Sequence, residues 1–291
     1  MTATYLDRLG ARSGAVGSVL CLGLDPDPDA LPDGFSRDLA GLERFARLLV
    51  EAASPFAAAV KPNLAFFEAF GSEGIAALER IRAAIPPDVL VLADAKRGDI
   101  GSTAARQAVA LFDGLGADAV TVNPYLGSEA VAPLIERLDR FAYLLCRTSN
   151  PGAGELQDLD VAPAPLAGAP AEPLYARVAR LATGWGPGDT VGLVVGATAP
   201  AELAAIRAIA PGLAFLVPGV GAQGGAVAPV LASGPAVAAP GAGRPGGGLL
   251  VNISRGIAAA AVSTDPDAPA DIGERLAAAA ADWSARLPVL L

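Results

Sequence analysis

The sequence predicts a (β/α)8 barrel, and three observations carry that prediction. Eight short runs rich in Val, Leu and Ala alternate with amphipathic stretches, the pattern of βα units wrapped round a parallel sheet. Polar or charged residues recur directly after those runs, where barrels of this class hold their working groups. No Gly-x-Gly-x-x-Gly follows the first run, which disfavours an open dinucleotide-binding sheet. Residues 1–291 are expected to form this one domain.

The first strand is expected over residues 18–24, ending at Asp25. The helix after it spans 38–53, where Leu39, Leu42, Phe45, Ala46 and Leu49 form an apolar stripe. A second strand over 57–60 ends at Lys61, followed by helices over 63–70 and 72–85 with Asn63 and Ser72 as N-caps. The third strand, 89–93, leads into Asp94, and a helix follows from about 100 to 112. Strand four, 119–122, ends at Asn123; residues 127–138 read as helix; strand five, 143–146, runs into Arg147-Thr148-Ser149-Asn150. A loop over 161–173 precedes a helix at 174–182. Strands six, seven and eight fall at 191–195, 214–217 and 249–253, with a helix at 201–209 between the first two. A helix begins near Gly256, and 272–287 closes the chain. The Ala, Pro and Gly rich stretch 232–248 is expected to be a mobile insertion or lid.

Composition narrows the chemistry. There is no histidine, so His-based triads and His-ligated zinc are excluded, and acid or base work falls to Asp, Glu or Lys. The two cysteines, Cys21 and Cys146, lie in apolar runs and read as reduced, buried thiols. A net charge of -9 argues against a nucleic-acid surface. The most apolar run, 226–243, is broken by three prolines, so no membrane span is expected. The start carries no signal-peptide pattern, and a cytoplasmic protein is expected.

The stretch 89–103 holds the densest chemistry. A strand turns alternate side chains to one face, so Leu90, Leu92, Asp94 and Lys96 share a side while Val91, Ala93 and Ala95 share the other. Charges thus continue a row that is otherwise core. Burying them without partners is costly, so Asp94 and Lys96 are expected to pair with each other and with Asp99. At the other end of the chain, the loops after strands seven and eight read Val217-Pro218-Gly219-Val220-Gly221-Ala222-Gln223-Gly224-Gly225 and Asn252-Ile253-Ser254-Arg255-Gly256. Glycines let backbone N–H groups approach an anion, and Arg255 offers paired donors, the makings of a phosphate site.

The run Asp-x-Lys-x-x-Asp-Ile-x-x-Thr, filled by Asp94, Lys96, Asp99, Ile100 and Thr103, resembles the signature of the orotidine 5'-phosphate decarboxylase family. The loop 218–225 is similar to that family's seventh-strand loop, and Thr148-Ser149-Asn150-Pro151-Gly152 to its fifth-strand segment. Together with Lys61-Pro62-Asn63 they resemble its longer bacterial branch, and the likeness spans about residues 21–257. The resemblance implies decarboxylation of orotidine 5'-monophosphate to uridine 5'-monophosphate and CO2 in de novo pyrimidine biosynthesis. Lys96 would protonate C6 within an array of Lys61, Asp94, Lys96 and Asp99. It further implies that Asp25 and Lys61 hold the ribose hydroxyls, that Ser149, with Thr148 as rival, reads the pyrimidine edge, and that Gln223 and Arg255 take the phosphate. A homodimer is implied in which Asp99 and Thr103 complete the neighbouring site. No metal, flavin or pyridoxal is called for.

The shorter Asp-x-Lys-x-x-Asp is shared with magnesium-dependent sugar-phosphate decarboxylases and aldolases, which are the nearest rivals. A different class is a silent barrel that binds a nucleotide as a sensor. Keeping Lys96 between two acids disfavours it, since binding alone has little need of so costly a cluster.

Overall fold

Eight parallel strands close into a barrel in the computed structural model, which describes residues 3–162, 171–262 and 268–290. The strands are β1 (Leu20–Leu24), β2 (Ala59–Pro62), β3 (Leu90–Arg97), β4 (Ala119–Val122), β5 (Phe141–Arg147), β6 (Val191–Val195), β7 (Ala214–Val217) and β8 (Leu250–Ile253). Each pairs with its sequence neighbour, and β1 pairs with β8 to shut the ring. A closed ring leaves no sheet edge to protect.

Two apolar layers follow from strand alternation. Cys21, Ala59, Leu90, Leu92, Ala119, Val194, Ala214, Leu216 and Leu250 fill the interior. Leu22, Val60, Val91, Ala93, Val120, Leu193, Phe215 and Val251 face the helices. The predicted division of Leu90 and Leu92 from Val91 and Ala93 therefore holds. Both cysteines are buried and unpaired, and burial pushes each thiol up to about 12.

The helices are α1 (Tyr5–Val16), α2 (Leu39–Ala53), α3 (Ala65–Glu68), α4 (Gly71–Ala84), α5 (Gly101–Ala108), α6 (Ala132–Ile135), α7 (Leu174–Ala182), α8 (Pro200–Ile209), α9 (Val227–Ser233), α10 (Arg255–Ala258) and α11 (Ile272–Arg286). The first was not anticipated. Thr4 and Asp7 form a reciprocal capping box that starts it, and it closes the amino end of the barrel. Tyr5 is fully buried there, stacked on Phe141 with centroids 4.6 Å apart, its hydroxyl 3.2 Å from that of Tyr143.

Several boundaries differ from the sequence reading. Lys61 lies inside β2 rather than after it, and β3 runs on through the charged residues to Arg97. Asn63 does receive the Ala65 amide at 3.3 Å, but Ser72 falls within the first turn of α4 and is no cap. The helix expected over 100–112 ends at Ala108 and continues as a π turn, Val109–Gly114. Of residues 127–138 only α6 is helical. Residues 163–170 of the loop expected over 161–173 lie outside the described residues; its flanks, Asp160–Val161 and Glu172–Pro173, pair as an antiparallel ribbon.

The stretch 232–248 is the largest departure. It joins the end of α9 to the amino end of β8, which puts it opposite the carboxyl ends of the strands, so no lid over the mouth is formed from it. It is packed rather than loose. Val237 and Ala238 donate to the Pro211 carbonyl, Gly241 to Gly212, and Ala236 to Gly247. Arg244 reaches Asp7 of α1 at 2.9 Å. Gly246, with φ near +76, brings the backbone so close to Val19 that a Cβ would stand 2.8 Å from its side chain.

Candidate active site

The interior row of β3 emerges at the carboxyl end as Asp94 and Lys96, and β2 supplies Lys61 beside it. Lys61 Nζ donates to Asp94 Oδ2 at 2.6 Å and Lys96 Nζ to Oδ1 at 2.5 Å. Lys61 is buried and the Asp94 side chain is only 11% exposed, whereas that of Lys96 is 51% exposed, with its ammonium turned back onto the carboxylate rather than into bulk water. Burial pulls the Lys61 ammonium down, but the carboxylates of Asp94 and Asp25 outweigh this and hold it above its ordinary value. Burial likewise pushes the Asp94 carboxyl up, and the two ammoniums overcome it, holding Asp94 well below the usual carboxylate range. Both groups are therefore charged at neutral pH.

Thr121 fixes the third member of this cluster. An inward position of β4, it donates to Asp94 Oδ1 at 2.8 Å and accepts the amides of Ala95 and Lys96 at 3.1 and 3.0 Å. Those bonds steady Lys96 in the left-handed region, φ near +48, which a side chain rarely adopts. The register between β3 and β4 shifts at this point, between Ala93 and Arg97. The bulge is what re-aims Lys96 toward the mouth.

Asp99 does not join the cluster, contrary to the expected pairing. Its carboxylate instead accepts the Ile100 amide at 2.7 Å and its own amide donates to the Ala130 carbonyl. Two ammoniums and one carboxylate remain in contact, with Asp25 as the nearby second acid. Thr103 is farther off, in a groove with Leu64, Glu68 and Arg97.

Asp25 follows β1 and shares a cavity of about 550 Å³ with Asn63, Ser254 and Arg255. Its Oδ1 is buried without a hydrogen-bond partner, as is Oδ1 of Asn252 on β8. Orphaned buried acceptors are costly unless a ligand or water donates to them. Asn252 opens the eighth-strand loop in the sequence reading but has no role assigned there. The signal was present, since Leu250, Asn252 and Ser254 alternate inward just as Leu92, Asp94 and Lys96 do; Thr121, two residues after Ala119, was legible the same way.

Across the mouth, Ser149 and Gln223 meet at Gly219. A Cβ there, at φ near +97, would lie 3.0 Å from both Ser149 Cβ and Gln223 Oε1. Gly196 does the same service behind Ser149, whose amide nitrogen would be 2.6 Å from an added Cβ. The Thr148 hydroxyl pairs instead with the Gln157 amide.

A closed parallel barrel carrying a lysine–carboxylate cluster at the carboxyl ends of its strands defines an enzyme of the (β/α)8 class. Residues 18–268 match the sequence profile described as the Orotidine 5'-phosphate decarboxylase / HUMPS family, and the chain belongs to that family. It is 47% identical over 229 residues to the orotidine 5'-phosphate decarboxylase of Herpetosiphon aurantiacus, covering 78% of this chain and 83% of that protein. It is 48% identical over 223 residues to that of Thermomicrobium roseum, covering 76% and 77%. Among solved structures, the OMP decarboxylase of Leishmania donovani superposes with a TM-score of 0.78 at 38% identity, over 97% of each chain. The chain is thus a carboxy-lyase of pyrimidine biosynthesis. Among the described residues no helix is long and apolar enough to cross a membrane.

Proposed function

We propose that the chain decarboxylates orotidine 5'-monophosphate with Lys96 as the proton donor to C6. The bond from C6 to the carboxylate breaks, CO2 leaves, and the electron pair left on C6 takes a proton from the Lys96 ammonium. The single observation that carries this reading is the Asp94 carboxylate held between two ammoniums at the barrel mouth. Lys96 is the half-exposed one, so its charge faces the space a substrate would enter. A preorganised cation there stabilises the carbanion without reorganisation at the moment of bond breaking. Asp94 would lie against the departing carboxylate; at an effective dielectric near 20, two like charges about 4 Å apart repel by on the order of 4 kcal/mol.

The remaining roles fit the same pose. Asp25, with its unpartnered Oδ1, accepts from a ribose hydroxyl beside Lys61. Ser149 reads the pyrimidine edge, Gln223 spans from Ser149 to the phosphate, and Arg255 binds that phosphate. Asp99 and Thr103 act in a neighbouring subunit's site within a homodimer. This is supported by Asp99 standing outside its own chain's cluster and by the exposed apolar side chains of Ile100, Val109, Tyr125 and Leu126 around the same loops.

Both oxygens of Asp94 are occupied by lysines, which makes it a poor ligand for a divalent cation and favours this reading over a magnesium-dependent decarboxylase or aldolase. The test is ultraviolet absorbance of orotidine 5'-monophosphate incubated with purified, chelator-treated protein. Steady conversion to uridine 5'-monophosphate is expected, with Lys96→Ala lowering kcat by at least about 10³-fold. Turnover that appears only on adding Mg²⁺, or survives in Lys96→Ala, would overturn it.

A further inference from the structure

None of the residues assigned above lies on α11, yet one side chain of that helix touches both loops of the phosphate end. Trp283 is buried, and its Nε1 donates to the carbonyl of Gly256 at 3.2 Å. A Cβ added to Gly256 would stand 2.9 Å from that nitrogen and 3.1 Å from Cε2. A Cβ added to Gly221 would stand 3.0 Å from Cη2 and 3.2 Å from Cζ2. The pyrrole edge of the indole therefore lies on the residue after Arg255, and the benzo edge on the residue two before Gln223. Any side chain at either glycine would push the ring away.

The loop that carries Gln223 is bonded to itself. Gly221 donates to Gly225 at 3.0 Å, Gly225 to Gly219 at 3.0 Å, and Gly224 to Gly221 at 2.8 Å. From outside, Arg286 packs on the indole with its guanidinium 3.8 Å from the ring centroid. A flat side chain with two rotors thus stands between the two loops.

We propose that Trp283 is a positioning residue that sets the separation of Gln223 and Arg255, and so the width of the phosphate grip. The proposal rests on the reading that these two residues bind the phosphate. Misplacing a binding group by about 1 Å is enough to cost up to 10²-fold in rate or affinity, and the indole is what holds the two loops at their spacing.

The test compares Trp283→Leu and Trp283→Phe with the native enzyme, using orotidine 5'-monophosphate as substrate and inorganic phosphate as inhibitor. Trp283→Leu is expected to raise KM about tenfold and to weaken phosphate inhibition by a similar factor, with kcat within about threefold of native. Trp283→Phe, which keeps a ring but loses the bond to Gly256, is expected to recover part of both. Unchanged KM and phosphate inhibition in Trp283→Leu would overturn the proposal, as would an equal loss in kcat with KM untouched. If native activity is not inhibited by phosphate and Arg255→Ala leaves KM unchanged, the phosphate reading itself fails. Should Trp283→Leu not fold, Trp185→Phe leaves Trp283 as the chain's one tryptophan. Its emission should then shift on adding phosphate, and the absence of a shift would overturn the proposal.

Discussion

Lys61 and Asp94 are each costly to bury, and each is tolerable because of the other. Asp94 is held below its ordinary value of 3.8, so its contribution to stability is present above that value and is lost as pH falls through the lower folded value. Lys61 is held above 10.5, so its contribution is present below that value and is lost as pH rises through the higher folded one. Between those edges the pair adds a flat term. Replacing Lys61 with Met leaves a buried carboxylate with the half-exposed Lys96 alone. The expected cost at pH 7 is about 3–5 kcal/mol, the alkaline loss due to residue 61 disappears, and the acid loss due to Asp94 shrinks, because without the Lys61 ammonium its folded value moves back up toward the ordinary one. Urea unfolding from pH 3 to 11 reads this directly, and a profile that superimposes on the native one would sink it. Much of this cluster was legible in the sequence, because strand alternation alone places Asp94 and Lys96 with Leu90 and Leu92. The bond from Lys61 was not, since which lysine faces which carboxylate depends on the register of β2 against β3. Nor were the particular bonds of Thr121, for which alternation with Ala119 gives only the inward position.

At the scale of elements, the strands were more legible than what joins them. Apolar runs announce strands wherever they fold, but the stretch 232–248 has the composition of a loose linker and packs all the same. The reason lies elsewhere in the chain, in Arg207 at the end of α8. Its guanidinium is buried and donates to the carbonyls of Ala210, Pro211, Leu213, Ser233 and Gly234, at 2.5–3.3 Å, and lies 3.6 Å from the ring centroid of Phe215. Burial pushes Arg207 down to about 9, which still leaves it charged at neutral pH. Five carbonyl dipoles replace its water, and through them the start of the insertion and the loop before β7 are both tied to α8. Arg207→Met should therefore destabilise the fold by about 3 kcal/mol or more, because several buried carbonyls lose their donor at once. As this anchor sits at the amino end of the barrel, kcat and KM of the folded fraction should stay at native values. Equilibrium denaturation beside steady-state kinetics separates the two effects, and a loss of activity without loss of stability would contradict the assignment. No pattern in residues 232–248 themselves predicts this, because the partner is supplied from 25 residues upstream.

At the scale of the molecule, the loops beside the barrel mouth expose large apolar side chains. The loops after β3 and β4 pack on each other, with the Asn123 amide donating to the Arg97 carbonyl at 2.7 Å. They present Ile100 at 65% exposure and Tyr125 at 75%. Large apolar side chains this exposed, grouped on the loops that carry Asp99 and Thr103, suit a surface that a second copy covers. Two variants test the proposed arrangement together: Lys96→Ala removes the proposed proton donor, and Asp99→Ala removes the acid proposed to act in the neighbouring site. In a mixed dimer one of the two sites has both defects and the other has neither. Unfolding and refolding an equimolar mixture should then give heterodimers as about half of the population, each with one intact site, and so about a quarter of native activity. Tagging one variant verifies the exchange. Ile100→Glu should shift the dimer toward monomer in sedimentation and lower activity in parallel. If exchange is verified and the mixture stays as inactive as its parents, Asp99 serves its own chain, and the apolar surface must be covered for some reason other than completing the site.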